Sequence, residues 1–569
     1  MTSAMFALLG LSLLAAPPKT THLYPTAITR GAFPVLAVAE GDIGTETKPW
    51  TDDSALKLEP GSKAGQFLLS ADPDCRVGWH VVRLHNKEGV TEPIPIWVDD
   101  LPNLAEKEPN NAPKDAALVL DAPQGGTVRV HGRLERNGDV DGFRVHVPAG
   151  RTLTARVQAN RQLNSPMDAT LQIADAKGFV LAHNDDARGV DPEIVWTARE
   201  SSDIVVRLFS FPTDPNSTIG FAGGSAFVYA LSISTGPTID FVAPVDFGAA
   251  PDEAIAFGWN LPAGSKARMM LTKPDFPFVT AQIAGAEPVL VPRWGTKIVV
   301  SPGTSEEIKL TPPVLATGQI AEANGRSMFL IEAKKGENWN FRVFAKSWES
   351  PLDPVISIRK ADGSVLVEQD DSGNNNRDAD LAWAVPDDGL YRVDITDLHK
   401  RGGPRFVFGL EATRSGLPAE LNVANSSLIV KPGDKAELSL TFDKRADIDE
   451  PVKVTVEGLP KGFPELKPEA PAAAPPMDQA KRGGGRRRGG NAPAQNAIKI
   501  PVAITAEQAK AIGAWSGPVR FVATDASGKR LPIAFAAPRG PRMGLDHVWL
   551  TVVIPPEPPK DAKKEEPKK

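Results

Sequence analysis

The sequence predicts an all-β chain built as a multidomain string of β-sandwiches, and three observations carry that expectation. At 569 residues the chain is too long for a single hydrophobic core, and a size of about 150 residues per domain gives about four units. Its 49 Gly and 53 Pro punctuate the sequence too often for long helices and supply many turns and strand ends. Apolar residues alternate with polar ones over short stretches, as in Phe143, Val145 and Val147 against Arg144 and His146, the period-two pattern of half-buried strands.

The first element is an apolar run from Ala4 to Ala16. It is too short to span a bilayer, but it has the length and small-residue ending of a secretory signal peptide, which predicts export to periplasm, cell surface or medium. No Lys or Arg precedes the run, and no cysteine follows it to take a lipid. The net charge of -6 is small for this length and sets up no field for a polyanion, so nucleic acid is not an expected partner. Cys75, the sole cysteine, rules out an intramolecular disulfide and a cysteine-based zinc cluster, and reads as a small buried side chain in a strand.

An internal repeat organises the middle of the chain. SPMDATLQIADAKGFVLAHNDD from Ser165 matches SPLDPVISIRKADGSVLVEQDD from Ser350 without a gap, pairing Asp168 with Asp353, Leu171 with Ile356, Gly178 with Gly363, and Asp185 and Asp186 with Asp370 and Asp371. Outside this block, Trp196 faces Trp383, and the copies close alike in AFVYALSIS from Ala226 and RFVFGLEAT from Arg405. Each unit is somewhat over 100 residues, the size of one sandwich, and its Asp- and Gly-bearing stretches at Asp175 to Gly178 and Ala361 to Ser364 suit tight hairpin turns.

Around the repeats, residues 19–100 read as an immunoglobulin-like β domain, 237–302 as a small β domain, and 416–555 as a second immunoglobulin-like domain. The last is interrupted at 467–497 by a Pro-, Ala-, Gly- and Arg-rich insert centred on KRGGGRRRGG, whose composition cannot bury a core, and residues 556–569 form a charged tail. Both read as solvated segments.

Catalytic signatures are sought and not found. GGSAF at Gly223 lacks the last glycine of a nucleophile elbow, no HExxH occurs, and His80 and His85 read as half-exposed strand residues separated onto opposite faces. The oxygen-rich stretches are more informative. EKEPNN offers Glu106, Glu108, Asn110 and Asn111 within one irregular segment, and about thirty residues later Asp139 and Asp141 share one face of an incoming strand. Calcium takes six to eight oxygen ligands of this kind; the alternative is a polar linker followed by a turn. Asn184 to Asp186 reads as a turn, since Asn and Asp are default turn residues.

EPNN at Glu108, GDVDGF at Gly138, the PAG turn at Pro148 and HNDD at His183 occur in this order, and together they resemble the bacterial pre-peptidase C-terminal (PPC) domain. The resemblance covers residues 104–236 closely and 303–413 more loosely. It implies a small jelly-roll-like sandwich appended to secreted peptidases, without catalytic residues, that aids secretion, folding or substrate binding. In calcium-binding relatives the acidic linker and the Asp-rich turn hold the ion together, which carries that role onto Glu106, Glu108, Asn110, Asn111, Asp139 and Asp141. The second copy has Gly325 and Ser327 in the places of Asp139 and Asp141 and no EPNN, so no site is carried to it. The resulting expectation is an exported, non-catalytic binding or scaffold protein of the envelope, possessing calcium as a structural ion in the first repeat. Its partner would be a protein or polysaccharide, and the alternative is an accessory of a secreted peptidase or an enzyme with an unrecognised site.

Overall fold

The computed structural model describes residues 16–554 apart from 213–219, 244–252, 263, 271–277, 293–296, 301–307, 349, 373–376, 404, 415–416, 419–420, 424, 443–445, 448–452, 467–496, 525, 529, 532 and 536–546. The expected signal segment, the KRGGGRRRGG insert and the charged tail lie outside the described residues. The described chain is all-β, a series of β-sandwiches interrupted by short helical turns such as Asn160–Leu163 and Ala506–Ile512. Among the described residues no helix is long and apolar enough to cross a membrane.

The two repeats share one topology. In the first, a sheet ordered Ala117–Leu120, Asp141–Val147, Ser202–Pro212, Met167–Asp175, Val180–Asn184 faces a second ordered Glu193–Thr197, Thr152–Gln158, Val228–Ser234, Thr127–Arg133, Asn103–Ala105. In the second repeat the corresponding orders are Ile308–Lys309, Ser327–Ala333, Gly389–Asp397, Pro354–Arg359, Val365–Gln369 and Asp380–Ala384, Asn338–Phe344, Val407–Thr413, Val314–Gln319, Lys297–Val300. Register agrees residue by residue: Asp141 pairs with Leu208 where Ser327 pairs with Ile395, and Gly132 pairs with Tyr229 where Gly318 pairs with Phe408. Each sandwich encloses its own core, with Val145, Leu171, Ile173 and Val206 in the first and Trp339, Phe341, Ile356 and Val393 in the second. Period-two alternation sends these side chains inward and leaves positions such as Arg144 and Glu332 outside.

One boundary moves. Lys297–Val300 pairs in parallel with Val314–Gln319, as Asn103–Ala105 pairs in parallel with Thr127–Arg133, so this strand belongs to the second repeat and not to the small domain before it. That small domain is a five-stranded antiparallel meander from Thr238–Ala243 to Val289–Pro292.

The domains at the two ends of the described chain pack together, an arrangement that sequence order does not reveal. Trp549 lies against Trp50 and His85 with ring centroids 5.7 and 4.8 Å apart, Arg83 donates to the Ser426 carbonyl, and Val81 joins the core of the C-terminal sandwich. On its other side the N-terminal domain meets the first repeat through Trp79, Trp97, Leu163 and Val228. His80 is fully buried, not half-exposed: its Nδ1 lies 2.9 Å from Asp52 and its Nε2 2.7 Å from the Arg76 carbonyl. Cys75 is buried as expected, but in a bend and not a strand, and burial pushes its thiol up to about 12.

Candidate metal centre in the first repeat

The linker that enters the first repeat runs on from strand Asn103–Ala105, where the Glu106 amide still bonds the His131 carbonyl, and then turns at Glu108 to Asn111. Pro109 has no amide hydrogen, so regular pairing ends there. The linker backbone lies directly on strand Asp141–Val147 at Gly142, where a Cβ would come within 2.7 Å of the Asn110 carbonyl oxygen. Gly132 plays the same part on the facing sheet, since a Cβ there would meet the Tyr229 hydroxyl and lie 2.7 Å from Glu106 Oε2.

This close approach gathers Glu106, Glu108 and Asp141, whose carboxylate oxygens lie within 4.8 Å of one another. Tyr229 closes the group from strand Val228–Ser234 of the facing sheet, with its hydroxyl 2.5 Å from Asp141 Oδ2 and 2.9 Å from Glu106 Oε2. One phenolic proton serves two carboxylates there. The Arg133 amide donates to Glu106 Oε1 at 2.6 Å, and the Asn110 amide donates to Glu108 Oε2 at 3.2 Å. Asp141 Oδ1 and both side-chain polar atoms of Asn110 are buried without a hydrogen-bond partner. Buried acceptors are normally satisfied, so the two oxygens, Asp141 Oδ1 and Asn110 Oδ1, are free to face a cation, whereas Asn110 Nδ2 is a donor and is not.

The electrostatics agree with this. Burial first, and the Glu106 carboxylate next, hold Asp141 well above the ordinary carboxyl range. Glu106 is raised chiefly by burial, against the lowering effect of its bonds to Asp141, Arg133 and Tyr229; Glu108 is raised by burial and then by Asp139. Tyr229 is raised by burial and by the two carboxylates it touches. The donors around this group compensate its negative charge only in part, since burial still outweighs them.

Three of the six expected residues therefore converge, Glu106, Glu108 and Asp141, and Asn110 lies buried in the same linker. The other two face one another. Asn111 donates its amide to Asp139 Oδ1 at 3.1 Å while Asp139 Oδ2 accepts from the Glu135 amide at 2.6 Å, an arrangement that shapes the turn beside the cluster. Tyr229 escaped the sequence reading, although the two copies' closing strands already showed its hydroxyl present in one and missing in the other at Phe408. In the second repeat Ser327 spends its hydroxyl on the Gln319 carbonyl, and Phe408 fills the place of Tyr229. Asn184 shapes its turn as expected, accepting from the Ala187 and Glu193 amides.

Among the described residues a second group, Asp53, Cys75 and His80, also brings potential ligand atoms within 4.8 Å of one another. It does not fit a metal in this geometry. His80 Nε2 lies 2.7 Å from the Arg76 carbonyl oxygen and Nδ1 lies 2.9 Å from Asp52 Oδ1, so both ring nitrogens already have oxygen partners.

No family model matches the chain, and no curated protein matches it. Solved structures similar to it include the pre-peptidase C-terminal domain of collagenase from Bacillus anthracis, at 8% identity and TM-score 0.16, covering 19% of this chain and 97% of that one. The M60 catalytic domain with the CBM51-1 and CBM51-2 domains of Clostridium perfringens ZmpB is similar at 8% identity and TM-score 0.14, covering 68% of this chain and 54% of that one. The four N-terminal immunoglobulin domains of Dscam1 isoform 4.44 are similar at 8% identity and TM-score 0.17, covering 95% of this chain and 98% of that one.

Proposed function

We propose that the chain is an exported, non-catalytic binding or scaffold protein of the cell envelope whose first repeat is a PPC-type sandwich stabilised by calcium. The observation that carries this reading is the Glu106, Glu108 and Asp141 group, in which Asp141 is buried, Glu106 half-buried and Glu108 exposed, with its unpartnered Asp141 Oδ1, present in one repeat and replaced in its structural twin. Calcium bound there would tie the entry linker to strand Asp141–Val147, with Glu106, Glu108, Asn110 and Asp141 as ligands and Tyr229 orienting two of them. Its chemistry is charge neutralisation, with no bond made or broken. Ordered PPC-like motifs and an N-terminal run of signal-peptide form support the assignment to an exported protein, and the partner is a protein or glycan polymer of the envelope.

Calcium titration of the full mature chain by calorimetry tests the metal part of the reading: one site is expected, and no heat at millimolar calcium would remove it. Co-sedimentation with insoluble protein and polysaccharide tests the binding part. Turnover of a peptide or glycoside substrate that disappears on a single carboxylate substitution would replace the scaffold by an enzyme.

A further inference from the structure

A network of buried charge joins segments that are far apart in the sequence. Arg129 bonds Asp99 of the N-terminal domain at 2.8 Å and Glu287 of the small domain at 2.7 Å. Arg156 reaches Glu193 at 3.2 Å and Asp240 at 3.4 Å, and Arg188 bonds the same two carboxylates. Arg405 from the second repeat completes the set, with Nη2 3.0 Å from Glu193 and Nε 2.9 Å from Asp240, while its guanidinium lies 5.5 Å from the Trp259 ring centroid. Four arginines face four carboxylates across four domains. Burial opposes ionisation of Glu193, but Arg156, Arg188 and Arg405 outweigh it and hold its pKa well below the usual range.

Arg405 differs from the other three in what its own domain requires. In both repeats a serine hydroxyl donates to the carbonyl at this place in the closing strand: Ser165 to Ala226 and Ser350 to Arg405, each at 3.1 Å. The backbone role is therefore shared, and in the first repeat an alanine performs it. Among the described residues the Arg405 side chain has no polar partner within its own sandwich. Instead it crosses to Glu193 of the first repeat and to Asp240 and Trp259 of the small domain. A guanidinium fork holds two carboxylates in fixed directions, which a flexible linker cannot do.

We propose that Arg405 is an interdomain latch that fixes the second repeat against the first repeat and the small domain, so that these three move as one body. This does not depend on calcium at the first repeat. The test is a distance measurement between spin labels on Lys177→Cys and Lys360→Cys in the full chain, both on exposed turns, with Cys75 buried and unlabelled. The latch predicts one narrow distribution in the otherwise unchanged protein and loss of that peak, with spread to longer and shorter distances, in Arg405→Ala. Circular dichroism of the same sample should show the β signal retained, because alanine already occupies this place in the first repeat. Should Arg405→Ala fail to fold, Arg405→Lys keeps the charge but cannot make both bonds, and it should broaden the distribution. A peak in either folded variant as narrow as in the parent overturns the latch, as does a broad distribution in the parent itself.

Discussion

Replacing Asp141 by Asn separates the two demands on the first repeat, because the amide keeps the shape of the carboxylate and removes its charge. In chelator the parent protein holds Asp141 Oδ1 buried without a partner and Asp141 beside Glu106. An unsatisfied buried acceptor costs about 1–3 kcal/mol. Asn at this place can donate to Glu106, so Asp141→Asn should melt at or above the parent by up to about 1 kcal/mol in chelator. Calcium should reverse the order: at free metal 100 times its dissociation constant the parent gains about 2.7 kcal/mol by mass action, while Asp141→Asn gains little. For a domain of this size that is a rise of roughly 5–15 °C in the first repeat's transition. Tyr229→Phe, which installs the residue found at Phe408, should lower the midpoint in chelator and enlarge the calcium response, since two carboxylates lose their shared donor. The assay is differential scanning calorimetry of the full chain with calcium and with chelator. Equal midpoints for the parent in the two buffers at saturating metal, or an undiminished calcium response in Asp141→Asn, would falsify the site.

Other consequences are independent of metal. His131 is buried beside Tyr24 and Arg129, and burial first and Arg129 second lower its pKa to about 4 from 6.5. The unfolded chain therefore binds the proton more readily, so the His131 contribution is present above pH 6.5 and is lost as pH falls toward 4, about 3 kcal/mol in all. Denaturant melts across that window should show the loss in the parent and less of it in His131→Gln; parallel curves would refute it. Asp191 accepts the amides of Ala159, Asn160 and Arg161, and burial chiefly raises it to about 6, a linkage of opposite sign, stabilising below pH 3.8 and lost as pH rises through 6. Asp191→Ala leaves three amides without this acceptor and should cost more than about 2 kcal/mol by urea titration, whereas Asp191→Asn, which still accepts, should cost less. Trp549→Ala removes a buried ring from the contact between the end domains and should cost about 3–5 kcal/mol, with faster proteolysis at the exposed contact.

Strands and repeats were legible because their signals are local. Alternation at Phe143, Val145 and Val147 places one face inward whatever packs against it, and the ungapped match from Ser165 to Asp186 required that both copies share a register. The three carboxylates of the candidate site were legible for the same reason, as EKEPNN and DVD are short motifs. What stayed hidden depends on contacts across the fold. Tyr229 lies 88 residues from Asp141 and reaches it across Gly132, where a Cβ would collide with its hydroxyl. Asp139 and Asn111 were read as candidate ligands through the resemblance to calcium-binding relatives, and the hydrogen bond between them could not be read from the motifs. His80 looked half-exposed because strand alternation says nothing about the Asp52 and Arg76 groups that cover it. The parallel strand Lys297–Val300 is four residues long and carries no motif, so it read as the end of the preceding domain.

The two repeats separate what the sandwich needs from what each copy adds. Both keep the aspartate that caps the turn after the second strand of its sheet: Asp191 takes the amides of residues 159 to 161, and Asp378 takes those of residues 345 to 347. Both keep the serine-to-carbonyl bond at the closing strand. These are conditions of the fold, for each satisfies backbone groups that burial would otherwise leave unpaired. Asp141 and Tyr229 are not among them, since Ser327 and Phe408 fill the same places in a sandwich of the same topology. The two changes go together physically. A phenol hydroxyl buried opposite a serine already bonded to Gln319 would lack the acceptors it finds at Asp141 and Glu106, and a lone buried carboxylate opposite Phe408 would lack its donor. Installing Asp141 and Tyr229 in the second repeat as the pair Ser327→Asp and Phe408→Tyr should therefore be less damaging than Ser327→Asp alone. A double-mutant cycle on the melting free energy measures that coupling, and an additive pair would show that the two positions do not sense one another.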